Sequence, residues 1–157
     1  MVTIEVIDNK IERDSLVERV EVLEKVKDLL LLPELEMATT QQVADFYEIK
    51  YQTLTSLIED RRDELVSDGY KTLPGKELVN LLKRSAKIES MKGYVLIDGN
   101  KVGYRSNGLF PKRAILRVGM LLRDSEVAKE VRTQLLNIEE HTATEVKTYE
   151  IDYEMKF

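Results

Sequence analysis

Cysteine and tryptophan are absent, histidine occurs once, proline three times and glycine seven times in 157 residues. Without cysteine there is no disulfide, no thiolate metal site and no Cys nucleophile. One histidine, His141, leaves almost no material for a His-based zinc site or a Ser-His-Asp triad. The glycines form no phosphate-binding loop; Gly93, Gly99 and Gly103 belong to a hairpin signal. No apolar run reaches the roughly 18 residues that a membrane-spanning helix needs. The first ten residues carry acids where a signal peptide carries bases. The expectation is a cytoplasmic protein of one domain or two very small ones, not an enzyme, with no cofactor and no membrane partner.

What is present is charge, and it is unevenly placed. Apolar residues make up 43% and charged residues 34%, which suits a packed core under a well-solvated surface, and the net charge is −5. Residues 1–36 are net −5, 37–77 net −3, 78–123 net +8 and 124–157 net −5. The basic stretch holds Lys83, Arg84, Lys87, Lys92, Lys101, Arg105, Lys112, Arg113, Arg117 and Arg123 against only Glu89 and Asp98. Such a cluster is either the footprint of a polyanion partner or the internal counterpart of the acidic ends.

Periodicity and punctuation divide the chain into an N-terminal arm and helix (1–36), a helix-turn-helix (37–85), a basic hairpin with C-terminal helices (86–140) and a tail (141–157). Val2–Ile7 suits a short strand or a loose arm. Ser15-x-x-Glu18 has the form of a capping box, and Leu16, Val20, Leu23, Val26, Leu29 and Leu30 recur at helical spacing, so one helix of about five turns is expected up to Pro33. Met37-Ala38 suits a short strand, and Thr39-x-x-Gln42 is a second capping signature. It predicts helices over Thr40–Tyr47 and Tyr51–Leu65 around a turn at Glu48–Lys50. Ser67-Asp68-Gly69 is a stop. Pro74-Gly75 reads as a turn before a helix over Lys76–Ser85, with Leu78, Leu81 and Leu82 inward. Tyr94–Ile97 and Lys101–Tyr104 flank Asp98-Gly99-Asn100, the strongest hairpin signal in the chain, which Ser106-Asn107-Gly108 closes. Pro111 suits the first turn of a helix running to Leu122. Asp124 suits the cap of a last helix to Glu139, and Tyr149–Tyr153 alternates like a late strand.

Gln41–Leu57 fits the helix-turn-helix pattern. Ala44 stands where a small residue lets the second helix cross closely, and Val43, Tyr47, Ile49, Leu54 and Leu57 supply the inner face. Glu48 replaces the usual turn glycine, which demands a different turn or a strained residue. The outward and N-terminal residues of the second helix, Lys50, Tyr51, Gln52, Thr55 and Ser56, would meet base edges in a major groove. Gln52 suits adenine and Lys50 suits guanine or phosphate. Arg61 and Arg62, further along the same predicted helix, suit phosphates. The flanking acids Glu48, Glu59, Asp60, Asp63 and Glu64 repel a duplex, so the attraction must come from the basic stretch: Lys101 and Arg105 on the hairpin, and Lys112 and Arg113 beyond it. The pairs Asp60 with Asp63 and Glu139 with Glu140 have acid–base or magnesium chemistry available to them. They fall on predicted helix surfaces and read as solvated faces, as does His141.

The run from Ala38 to Tyr47, and the run Pro111-Lys112-Arg113-Ala114-Ile115-Leu116-Arg117 continuing through Ser125, Ala128 and Lys129 to Arg132, resemble the N-terminal modules of phage antirepressor and regulator proteins of the Rha/Bro/KilA-type group. The resemblance covers roughly 37–137. It implies a regulator of a phage, prophage or mobile element that binds DNA or relieves repression through a repressor protein.

The expected fold is α+β and mainly helical: a winged helix-turn-helix with a basic β-hairpin and C-terminal helices. The expected function is sequence-specific binding of double-stranded DNA by a homodimer, since such readers bind paired half-sites. The alternative is an antirepressor whose acidic ends contact a repressor's basic surface.

Overall fold

The computed structural model describes residues 7–138. Among them the chain is α+β, with two small antiparallel sheets. The order is α1 (Lys10–Leu16), α2 (Val22–Val26), β1 (Met37–Thr39), α3 (Thr40–Tyr47), α4 (Tyr51–Asp60), α5 (Arg62–Ser67), β2 (Lys71–Leu73), α6 (Gly75–Leu82), β3 (Ile88–Ser90), β4 (Tyr94–Ile97), β5 (Asn100–Gly103), β6 (Asn107–Pro111) and α7 (Lys112–Leu121). A last helix, α8, covers 126–138. No described helix is long and apolar enough to cross a membrane. The expected late strand, His141, the pair Glu139 and Glu140, and most of the expected N-terminal strand or arm lie outside the described residues.

In the first sheet β6 is central, antiparallel to β1 on one side and β2 on the other, with Ala38 opposite Phe110 and Thr72 opposite Gly108. The second sheet is the meander β3-β4-β5, and Asp98 and Gly99, both at positive φ, turn its hairpin. Successive side chains of a strand leave opposite faces. Phe110 therefore enters the main core with Val43, Tyr47, Leu54 and Ile115, while Leu109 enters a smaller core with Leu78, Leu82, Val95, Ile97 and Val102. One five-residue strand thus joins the helical part to the hairpin part.

The single helix expected up to Pro33 is two. Asn9 caps the first, its side chain accepting from the Glu12 N–H, while Ser15 donates to the Glu12 carbonyl and caps nothing. On one continuous helix Val22 would fall off the stripe of Leu16, Val20 and Leu23. The break between α1 and α2 turns Val17, Val22 and Leu23 inward together. Of the expected stripe, Leu16 and Leu23 are buried but Leu30 is exposed.

The helix expected over Tyr51–Leu65 breaks at Arg61. The five residues 59–63 are all charged, so no apolar side chain there holds a continuous helix to the core, and the bend brings Glu64 inside. Pro74-Gly75 opens α6 directly, and Leu81 points outward while Leu78 and Leu82 are buried. Asn107 and Gly108 begin the central strand β6 and do not form the closing turn. Ser125, not Asp124, precedes α8 as its cap; its hydroxyl accepts from the Ala128 N–H and donates to the Tyr47 carbonyl.

Candidate nucleic-acid interface

The capping box is closed. Thr39 Oγ1 accepts from the Gln42 N–H at 3.1 Å and Gln42 Oε1 accepts from the Thr39 N–H at 2.8 Å. That fixes where α3 begins. Ala44 is fully buried where α3 meets α4. Glu48 takes the left-handed conformation, φ 55 and ψ 46, and the Ile49 N–H reaches back to the Ala44 carbonyl at 3.0 Å. The turn thus has the geometry that a glycine adopts freely, imposed here on a glutamate. Tyr47 anchors the unit: its hydroxyl donates to the Ile115 carbonyl of α7 at 2.6 Å, and complete burial pushes its pKa far above the ordinary 10.0.

Lys50 precedes α4 in extended conformation without a side-chain cap. Lys50, Tyr51, Gln52 and Ser56 are exposed, so four of the five expected base-contacting residues face solvent. Thr55 is half-buried and its hydroxyl donates to the Gln52 carbonyl at 3.0 Å, which commits its donor. Arg61 sits at the bend and Arg62 on α5, both exposed, so neither lies within α4 itself.

The basic stretch divides in two. Lys83, Arg84, Lys92, Lys101 and Arg105 are exposed and make no ion pair among the described residues. Lys101 rests its ammonium 4.8 Å from the centre of the Tyr94 ring, a cation–π contact that leaves the charge at the surface. On α7, Lys112 and Arg113 stay at the surface but sit beside acids. Lys112 lies 3.7 Å from Glu24, and Arg113 contacts Glu18 at 3.1 Å and Asp68 at 3.8 Å. These contacts argue against Lys112 and Arg113 as phosphate ligands, because an acid already sits beside each cation.

Arg117 is completely interior. It meets Asp68 through Nε at 2.5 Å and Nη2 at 3.0 Å, and Asp14 and Glu64 through Nη1 at 2.7 and 2.8 Å. Arg13 of α1 meets the same Glu64 through Nε at 2.5 Å and Nη2 at 3.0 Å. Burial alone would push the Glu64 carboxyl up; the Arg13 hydrogen bond and the charges of Arg13 and Arg117 outweigh it and hold the carboxyl below its usual 4.5. This cluster ties α1, α5 and α7 together.

One surface joins the two expected halves of the site. Tyr51, at the start of α4, and Lys101, on the hairpin, line the same recess of about 80 Å³. The hairpin is held there by Asn107, whose side chain accepts from the Gly103 N–H at 3.0 Å and donates to the carbonyls of Gly103 at 2.9 Å and Leu73 at 3.3 Å. The floor of the recess includes Thr40, Ser106 and Gly108. None of these was singled out as a site residue in the sequence, where Ser106 and Gly108 read only as turn residues and Thr40 only as the start of a helix. Among the described residues no group of three or more His, Asp or Glu is placed to hold a metal.

Compared with protein-family models, curated proteins and solved structures, the chain matches none.

Proposed function

We propose that the chain is a sequence-specific DNA-binding regulator built on a winged helix-turn-helix. The observation that carries the reading is the shared recess. The recognition helix and the cationic hairpin open on one face through Tyr51 and Lys101, which a duplex contact by both elements requires. The topology supports it. A strand, the helices α3 and α4 with the short α5 after them, a second strand, an insertion and a third strand that pairs between the first two is consistent with a winged-helix order. Here the position of the wing is filled by α6 and the sheet β3-β4-β5.

In this reading Lys50, Tyr51, Gln52 and Ser56 read base edges, while Lys92, Lys101 and Arg105 supply the phosphate attraction that acidic Glu48, Glu59 and Asp60 oppose. Two copies would engage paired half-sites. The test is fluorescence anisotropy of a labelled duplex at two salt concentrations. Affinity is expected to fall steeply with salt, at about 0.9 in log–log slope per phosphate contacted. A salt-independent interaction, or binding confined to a repressor protein, would overturn the reading.

A further inference from the structure

The floor of the recess has features that reading base edges does not use. Thr40 is 7% exposed, lines the recess, and its hydroxyl makes no hydrogen bond among the described residues. Tyr70, also 7% exposed, is likewise without a hydrogen bond there. Both hydroxyls crowd the same glycine. A Cβ on Gly108 would stand 2.6 Å from Thr40 Oγ1 and 2.7 Å from the Tyr70 hydroxyl. Among the described residues the one side-chain polar atom both closed off and without a partner is Arg132 Nε, so the Thr40 oxygen is open, and the recess that Thr40 lines is where a ligand can reach it.

The backbone adds donors. The first turn of a helix leaves four N–H groups without intrahelical partners. The capping box satisfies those of Thr39 and Gln42. Those of Thr40 and Gln41 are left, and both residues line the recess. The helix dipole makes this end positive. Lys101 lines the same space together with Ser106, and no carboxylate does. The recess is small, about 80 Å³, so the ligand it suits is a compact group.

We infer that this recess is a seat for one phosphoryl group, bound by the α3 N-terminus and the Thr40 hydroxyl beneath the Lys101 ammonium. Its ligand under the proposed function is a backbone phosphate of the duplex, which would fix the register of the recognition helix. The inference rests on that reading for the source of the phosphate and not for the seat itself. The same donors suit a phosphodiester and a free phosphate.

The experiment is a ¹H–¹⁵N titration of the full chain with inorganic phosphate, with dimethyl phosphate and with a duplex, against chloride at matched ionic strength. The expected result is saturable shifts of the Thr40 and Gln41 amides with all three and not with chloride. Thr40→Val is expected to weaken duplex binding about tenfold on every sequence, the scale of a hydrogen bond to a charged group, while Thr40→Ser retains it. Lys101→Ala is expected to lower the salt slope by about 0.9, the loss of one phosphate contact. Shifts with the two small phosphates but no duplex binding would uphold the seat and overturn the DNA reading. Duplex binding that leaves Thr40 and Gln41 unshifted would overturn the seat and spare that reading. No shift with any probe overturns the seat.

Discussion

Tyr47 and Gly119 touch in a way that leaves no room for one more carbon: a Cβ on Gly119 would lie 2.5 Å from the Tyr47 hydroxyl. That hydroxyl is spent on the Ile115 carbonyl one turn earlier in α7. Helix α3 is therefore seated directly on the backbone of α7, and the Ser125 hydroxyl donates to the Tyr47 carbonyl.

Gly119→Ala is expected to destabilise the chain by about 1–3 kcal/mol, the usual cost of overpacking a closed core. Tyr47→Phe alone loses one buried hydrogen bond, about 0.5–1.5 kcal/mol. Because removing the hydroxyl makes room for the new methyl, the double variant is expected to be more stable than the sum of the two losses. Urea denaturation of the three variants checks this, and strict additivity would contradict the contact.

The Arg13–Glu64–Arg117–Asp68 cluster makes a second prediction. Arg117→Met leaves Asp68 buried and without its two strongest hydrogen bonds. Removing one partner of a buried pair costs about 3–5 kcal/mol. Because Arg117 is interior, the same substitution is expected to leave the salt dependence of duplex binding unchanged at temperatures where the variant is folded. A changed salt slope would return Arg117 to the surface.

Acid is expected to act through the same cluster. Glu64 is held below its usual 4.5, and Asp14 below 3.8 by hydrogen bonds from Lys10 and Arg117. A carboxyl depressed on folding contributes stability that is complete above its unfolded value and lost as pH falls through the folded one. Unfolding midpoints are therefore expected to stay level down to about pH 5 and fall below it. Glu64→Gln should start lower at neutral pH and show a shallower fall. An unchanged acid profile in that variant would remove Glu64 from the account.

Glu48 sits in the left-handed region, which costs a non-glycine residue about 1–2 kcal/mol. Glu48→Gly is expected to offset part of that cost with the lost chain entropy of glycine, leaving stability level or up to about 1 kcal/mol higher. It also removes an acid beside the recognition helix, so duplex affinity should rise. Weaker duplex binding by a stably folded Glu48→Gly would show the carboxylate to be part of recognition.

The sequence was most legible where a local signal decides the structure. The capping box Thr39-x-x-Gln42 and the stop at Glu48 place α3 over Thr40–Tyr47, as found. Asp98-Gly99 places the hairpin. The strand β6 was hidden because Asn107-Gly108 has turn chemistry, and only pairing with β1 and β2, tens of residues earlier, makes it a strand. Arg117 looked like one more cation of a basic stretch, because its partners Asp68 and Asp14 lie 49 and 103 residues away in the chain. Of the candidate site, the residues of α4 and the hairpin were readable. The floor was not, since Thr40 and Gly108, which line it, become neighbours only when β6 is in register.

The central claim is tested most directly by selecting from a pool of random duplexes with the full chain at two salt concentrations. The account predicts an enriched motif, steep loss of retention with salt, and relaxed preference at one base position in Gln52→Ala. Charge reversal at Lys101 and Arg105 should lower retention of all sequences alike. No retention at low salt would contradict the account and point to a protein partner.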